Sequence, residues 1–250
     1  LFETCKSFAE RRGETDWKEE AAPFLAALEM IHSFSLVHDD LPCMDNDTLR
    51  RGKPTTWYVY GEAMGTLAGD GLVLEALTVA GRAVGQSRHP ERAARALAIL
   101  GEKSGVSGML GGQSVDVEKT GEHLDATTLD FIYRLKTGAL LEAAFMMGAA
   151  LGGASEAEIS CAEQIGRAVG LAFQIQDDIL DETATEAELG KPLHSDEKNQ
   201  KTTYVSLFGL EAAREAVRQQ SEAAEQRLRE FPGETETLAA LIAYLTDRRF

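Results

Sequence analysis

The chain has 250 residues, with 25 Lys and Arg against 41 Asp and Glu and a net charge of −16. That balance repels a polyanion and argues against nucleic acid as a partner. With 44% apolar residues, the length supports a sizeable core in one domain spanning 1–250.

The first residues read as the middle of a helix with no initiating methionine, so a further N-terminal piece is expected before Leu1. Pro23 begins an apolar helical run through Phe24, Leu25, Leu28, Ile31 and Leu36. The run ends in His38-Asp39-Asp40-Leu41-Pro42-Cys43-Met44-Asp45-Asn46-Asp47, and Arg50-Arg51-Gly52-Lys53 follow at once. Pro42 breaks the helix after Asp40, which lets Asp45 fold back toward Asp39. Thr66 to Val84 reads as a second apolar helix, interrupted at Gly69-Asp70-Gly71. Pro90 opens another that runs to the glycine-rich segment Gly105 to Gly112, after which Gln113 and Asp116 would by themselves mark only a helix start. Asp125 is the N-cap of a helix to about Gly148, with Lys136-Thr137-Gly138 inside it. Ser155 and Glu158 form a capping box whose helix runs to Asp181. Glu182 to Thr202 is polar and non-helical, and a loop of that length in a compact domain is commonly functional. Glu211 to Glu230 and Thr235 to Arg249 are the last helices. No sustained alternating β pattern occurs, so the expected architecture is an all-α bundle of roughly eight to ten helices.

Cys5, Cys43 and Cys161 form no C-x-x-C pair, which fits a reducing cytoplasm better than a disulfide framework. No signal peptide is visible. The longest apolar stretch, Ala139 to Leu151, carries Glu142 and is too short to span a bilayer.

Two acidic clusters carry the chemistry. Asp177 and Asp181, in Gln174-Ile175-Gln176-Asp177-Asp178-Ile179-Leu180-Asp181, lie four apart on one helix face, while Asp178 points aside. A solvated helix end would explain such a pair, but buried-core sequence from Ala168 to Phe173 runs straight into it. Carboxylates emerging from a core need a compensating cation. The first cluster does not fit a calcium loop, because Leu49 and Arg50 stand where an oxygen ligand and a glycine belong. The arginines suit an anion instead. Mg2+ binds a few carboxylates and completes its shell with water and phosphate oxygens, so the pairing points to a diphosphate. Lys136 within an apolar helix needs an anion or a route to water. His32 lies two turns before Asp39 on the same face, where a plain core or surface histidine is the default. Phe34 and Ser35 lie one turn beneath Asp39, and Phe34 would by default be plain core.

These motifs together resemble the trans-isoprenyl diphosphate synthase (polyprenyl synthetase) family. Asp39-Asp40-x-x-x-x-Asp45 with Arg50-Arg51-Gly52-Lys53-Pro54-Thr55 resembles the first aspartate-rich motif, and Phe173-Gln174-x-Gln176-Asp177-Asp178-x-x-Asp181 the second. Gly112-Gln113-x-x-Asp116, Lys136-Thr137-Gly138, Gly190-Lys191 and Lys201-Thr202-Thr203-Tyr204 resemble further motifs in the same order. The resemblance implies a bundle around a deep central cavity, a homodimer, and head-to-tail condensation of isopentenyl diphosphate with an allylic diphosphate. It implies three Mg2+ ions held with diphosphate by Asp39, Asp40, Asp45, Asp177 and Asp181. It assigns Arg50, Lys136, Thr137, Gln174, Lys191 and Lys201 to the allylic diphosphate, and His32 and Arg51 to isopentenyl diphosphate. The metals and cations stabilise the departing diphosphate, which then serves as the base.

The four-residue spacer holding Pro42, with the aromatic Phe34, is similar to bacterial-type members that make farnesyl diphosphate. The same string occurs in members that make geranylgeranyl diphosphate, so product length rests on Phe34, with Ser35 beside it. The family also has Gly-Gly-Lys-Arg-x-Arg-Pro before the equivalent of Leu1, and it often has His-Lys where Trp57-Tyr58 stands. A class I terpene cyclase would replace the second aspartate set by an Asn/Ser/Glu triad, and a non-catalytic partner subunit would lack one set. A plain acidic helical module would leave Lys136 unexplained.

Overall fold

The computed structural model describes residues 1–183 and 201–246. Lys191 and most of the polar segment expected to be non-helical lie outside them. The described chain is helical almost throughout, as the patterning predicts. In order it forms α1 (Phe2–Arg11), α2 (Trp17–Asp39), β1 (Leu49–Arg50), β2 (Lys53–Pro54), α3 (Thr56–Tyr60), α4 (Glu62–Gln86), α5 (Pro90–Ser104) and α6 (Met109–Glu118). Then come α7 (Ala126–Ile132), a π-helical turn (Tyr133–Gly138), α8 (Ala139–Leu151), α9 (Glu156–Thr183), α10 (Tyr204–Phe208), α11 (Leu210–Leu228) and α12 (Glu236–Thr246).

The expected caps form. The Asp125 carboxylate accepts the amide of Thr128 at 2.8 Å, and Ser155 and Glu158 close their capping box. Three expectations need correction. Pro23 lies inside α2, which begins six residues earlier at Trp17. The ring removes one hydrogen bond, to the Glu19 carbonyl, while Ala21, Phe24 and Ala27 on the same turns are fully buried. The second correction concerns Gly69-Asp70-Gly71, which does not interrupt α4. Gly65 and Gly69 are one turn apart and let α2 and the loop after it approach closely. A Cβ on Gly65 would lie 3.0 Å from the Leu41 side chain, and one on Gly69 only 2.1 Å from Nε2 of His38. Thirdly, α2 and α4 are each long and apolar enough, by length and composition, to cross a membrane. α2 spends that character inside the bundle, burying Phe24, Ala27, Ile31 and Phe34. α4 packs along α2, burying Ala76, Ala80 and Ala83, and exposes Leu67, Leu74 and Leu77 on its other side.

The core has two parts. The larger joins α2, α4, α5, α8 and the first half of α9, around Phe24, Ile99, Leu100, Met147 and Ile165. The smaller joins α7, the π turn, the second half of α9 and α11, around Leu129, Ile132, Tyr133, Ile175 and Val217. An ion network lies between α5, α8 and α9. Glu142, only 1% exposed, accepts from Lys103 and, at 3.2 Å, from Arg167, while Lys103 also reaches Glu163 at 2.7 Å. α8 and α9 are pressed together there, since a Cβ on Gly166 would lie 2.6 Å from Cα of Glu142.

Candidate active site

Helix α2 ends where expected, and the chain turns back on itself. The amide of Asp45 donates to the Asp39 carbonyl at 2.9 Å, which brings the two aspartates to one wall as Pro42 predicts. The loop is then tied down at Asp47, whose carbonyl accepts from Thr55 Oγ1 and from the Trp57 indole, each at 2.8 Å. This gives Trp57 a function that the sequence did not disclose.

A short hairpin follows, also unforeseen. Leu49 pairs with Pro54 and Arg50 with Lys53 across a two-residue turn, Arg51-Gly52, with φ of +51° and +73°. Two consecutive positive φ values are the requirement of the tightest hairpin turns. The turn aims Arg50 back at the acidic cluster, and its Nε and Nη2 donate to Oδ1 of Asp40 at 2.8 and 2.7 Å. Asp40 is buried there. The structure therefore makes Asp40 the partner of Arg50 instead of a free carboxylate beside Asp39. Arg51 sits exposed at the hairpin tip.

The facing wall is α6 against the π turn. Gly112 makes the approach possible, since a Cβ there would lie 2.2 Å from the Lys136 amide. Lys136 meets Asp116 at 2.6 Å, so this apolar helix's lysine is neutralised by an anion. Lys201 sits 3.9 Å from Asp116 and 3.8 Å from Asp45, bridging the two walls. Gln113 donates to Oδ1 of Asp39 at 2.7 Å. The Thr137 hydroxyl donates to the side-chain amide oxygen of Gln174 at 2.8 Å, which joins the π turn to α9. The bulge in the helix thus gathers the basic group and the hydroxyl, a common use of π turns.

On α9, Asp178 points aside as expected, and the structure supplies the reason. Its carboxylate accepts from the Tyr133 hydroxyl at 2.6 Å and from the Tyr204 amide at 2.7 Å. That contact fixes the chain just after Lys201. Asp177 is half-buried and Asp181 is buried. Among the described residues no three His, Cys, Asp or Glu side chains converge on a common point, so the Asp39–Asp45 wall and the α9 aspartates remain two sets.

Below the charged groups a cleft of about 430 Å³ runs between α2, α6 and α8. Leu28, Phe34, Leu140, Leu141 and Phe173 line its apolar length, and Asp39, Gln113, Lys136 and Thr137 its head. His32 and Ser35 also face it, and the Ser35 hydroxyl is spent on the His32 carbonyl at 2.8 Å. A second cavity of about 110 Å³ lies on the far side of Lys136 and Thr137, bounded by Asp116, Gln174, Asp178 and Lys201.

At the head of the cleft a buried carboxyl lies among both acidic and basic neighbours. Burial pushes the Asp39 carboxyl up to about 6; Lys136 pulls it back and Asp45 raises it further. Oε1 of Gln113, hydrogen-bonded through its amide nitrogen to Asp39, is buried with no hydrogen-bond partner. A buried amide oxygen without a donor, beside a buried carboxylate, suits a hydrated divalent cation with hard-oxygen preference.

The glycine pair before Gln113 was the available signal for the α6–π-turn contact. Nothing in the sequence marked Asp116 as the common partner of Lys136 and Lys201, or Tyr133 as the clamp on Asp178.

A family model described as polyprenyl synthetase matches residues 2–244. The chain is 44% identical over 207 residues to the farnesyl diphosphate synthase of Geobacillus stearothermophilus, covering 83% of this chain and 70% of that one. It is 42% identical over 234 residues to the chloroplastic geranylgeranyl pyrophosphate synthase of Capsicum annuum. There it covers 92% of its own length but 63% of the pepper protein, less than two thirds. A crystal structure of a Helicobacter pylori geranyltransferase with magnesium and isoprenyl diphosphate superposes with a TM-score of 0.79 at 29% identity, over 97% of this chain and 79% of that one.

Proposed function

Because this chain belongs to the polyprenyl synthetase family, we propose that it condenses isopentenyl diphosphate head-to-tail with an allylic diphosphate, with Mg2+, to give a short-chain prenyl diphosphate, farnesyl diphosphate in the first instance. The observation that carries this reading is the charged head over an apolar cleft. Asp39 and Lys136 stand at the head of a cleft whose length carries Leu28, Phe34, Leu140, Leu141, Ala144 and Phe173, and Asp45 and Lys201 lie beside that head. A diphosphate with a hydrocarbon tail has that same division.

Asp39, Asp45 and Asp177 would hold the metal, and Mg2+ when bound draws electrons from the allylic carbon toward the departing diphosphate. Lys136 and Lys201 neutralise the phosphate oxygens, exchanging their present partner Asp116 for the substrate. Arg50 joins them through Nη1, since Asp40 uses the other edge of its guanidinium. Thr137 and Gln174 would hold the same diphosphate from the π turn and α9. His32, which faces the cleft, and Arg51 at the hairpin tip bind the second diphosphate and bring its double bond to the reacting carbon. The Leu and Phe side chains of the cleft exclude the water that would trap an allylic cation.

Phe34 lines the cleft beneath Asp39, and the lining continues past it along α2 to His32 and Leu28. Phe34 is 8% exposed and lies five residues before Asp39, roughly 7.5 Å deeper along the axis at 1.5 Å per residue. A ring there would narrow the path of the tail, and forcing a longer tail past it would cost about 1–3 kcal/mol of overpacking. Geranylgeranyl diphosphate is the alternative product, and Phe34 separates the two. The experiment is incubation with dimethylallyl and isopentenyl diphosphates and Mg2+, followed by chromatography of the dephosphorylated products. Farnesol is expected from the wild type and longer alcohols from Phe34→Ala. No prenyl product at all would reject the activity, and unchanged length in Phe34→Ala would reject that role for Phe34.

The exposed apolar side of α4, where Leu74 is 66% and Leu67 60% exposed, supports a homodimer. Leu67→Glu/Leu74→Glu should sediment as a monomer, while a wild type that sediments as a monomer would remove the proposal.

A further inference from the structure

Phe34 does not stand alone on the cleft wall. His38, one turn further along α2, sets its ring edge-on to Phe34, with centroids 4.9 Å apart and planes at 74°. The same imidazole lines the cleft. It is held from behind by α4, where Nε2 lies 3.0 Å from the Thr66 carbonyl. A carbonyl accepts only, so Nε2 carries the proton in this contact. The ring can sit so close because residue 69 has no side chain. A Cβ on Gly69 would lie 2.1 Å from Nε2 and 2.2 Å from Cδ2. Asp70, 3.8 Å away and half exposed, is the one acidic side chain in contact with this imidazole among the described residues.

We propose that Gly69 and the Thr66 carbonyl, on α4, position His38 as the back support of Phe34, so that this contact between α2 and α4 sets product length. The inference rests on the proposed prenyl-elongating activity and adds a determinant on a helix that does not line the cleft at that point. The mechanism is steric. Any side chain at 69 displaces the imidazole from α4, and the cleft that the ring lines is the space available to it. Removing the imidazole does the reverse, since Phe34 loses its edge contact and can tilt back toward Gly69.

The two substitutions therefore move product length in opposite directions. Gly69→Ala should shorten the products, with geranyl diphosphate rising several-fold relative to the wild type. His38→Ala should lengthen them by at least one five-carbon unit. In the double variant the alanine at 69 meets no ring, so its products should follow His38→Ala, a non-additive result expected of contacting residues. The assay is product distribution from the full chain with dimethylallyl and isopentenyl diphosphates and Mg2+. A merely structural role would lower the rate or the melting temperature without reversing the sign of the length change.

Unchanged lengths in both active single variants, or shifts of the same sign, would overturn the proposal. If Gly69→Ala does not fold, His38→Ala and the double variant decide it. They carry no added bulk against the ring, and wild-type lengths from both would overturn it. Wild-type protein that makes no prenyl product would instead reject the activity on which the inference stands.

Discussion

Asp39→Asn is expected to lower kcat by roughly 10²–10³-fold, the usual loss when one preorganised electrostatic group is removed. The substitution keeps the shape and the oxygen that accepts from Gln113, and it deletes only the charge. The protein should remain folded. Burial already disfavours the charged form of this carboxyl, which is pushed up to about 6, so a neutral amide at 39 should leave the melting temperature unchanged or higher. Steady-state turnover and a thermal melt on the same preparation separate the two effects. Near-normal turnover would remove Asp39 from the reaction, and a large drop in melting temperature would make it a structural residue. Asp40→Asn should behave differently, because it weakens the pair with Arg50 that shapes the hairpin.

The second large effect concerns stability far from the cleft. Lys103→Met should cost about 3–5 kcal/mol, because it leaves the buried Glu142 charge without its main partner. For a chain of this length that is a fall in melting temperature on the order of 10 °C. Arg167 remains at 3.2 Å, but its side chain is nearly half exposed and replaces only part of the lost interaction. Replacing both partners, as Lys103→Met/Glu142→Leu, should recover most of the loss, since an apolar pair of similar volume often matches a buried ion pair. A single variant melting within a degree or two of wild type would show that water reaches Glu142.

The sequence disclosed the longer helices through apolar residues at helical spacing, and some of them through capped or Pro-marked starts. Asp125, Pro90 and Ser155 all open the helices predicted for them. It disclosed the acidic wall for the same local reason: Pro42 dictates where α2 must end and Asp45 must turn back. What it hid were relations between segments distant along the chain. Gly69 was read as a break because a glycine's local cost is visible in sequence, while the approaching His38 ring that requires it is not. Asp116 shows no local sign of holding two lysines, one 20 residues away and one in a different element. The hairpin at Leu49 to Pro54 escaped because two residues per strand carry no periodicity. Asp40 looked equivalent to Asp39 by motif, and only the return of Arg50 distinguishes them.

The π turn at Tyr133–Gly138 has a consequence beyond gathering Lys136 and Thr137. Residues Ala126 to Leu151 form one rod that must satisfy two cores. Leu129, Ile132 and Tyr133 face the smaller one, while Ala143, Met146, Met147 and Ala150 face the larger. A regular helix advances about 100° per residue, so a single extra residue rotates everything beyond it by that angle. The turn is therefore a phase joint, letting each half of the rod keep its own angular setting. It also makes this stretch intolerant of changes in length. Losing one codon between 133 and 138 would restore an unbroken helix yet leave one of the two cores facing the wrong side chains.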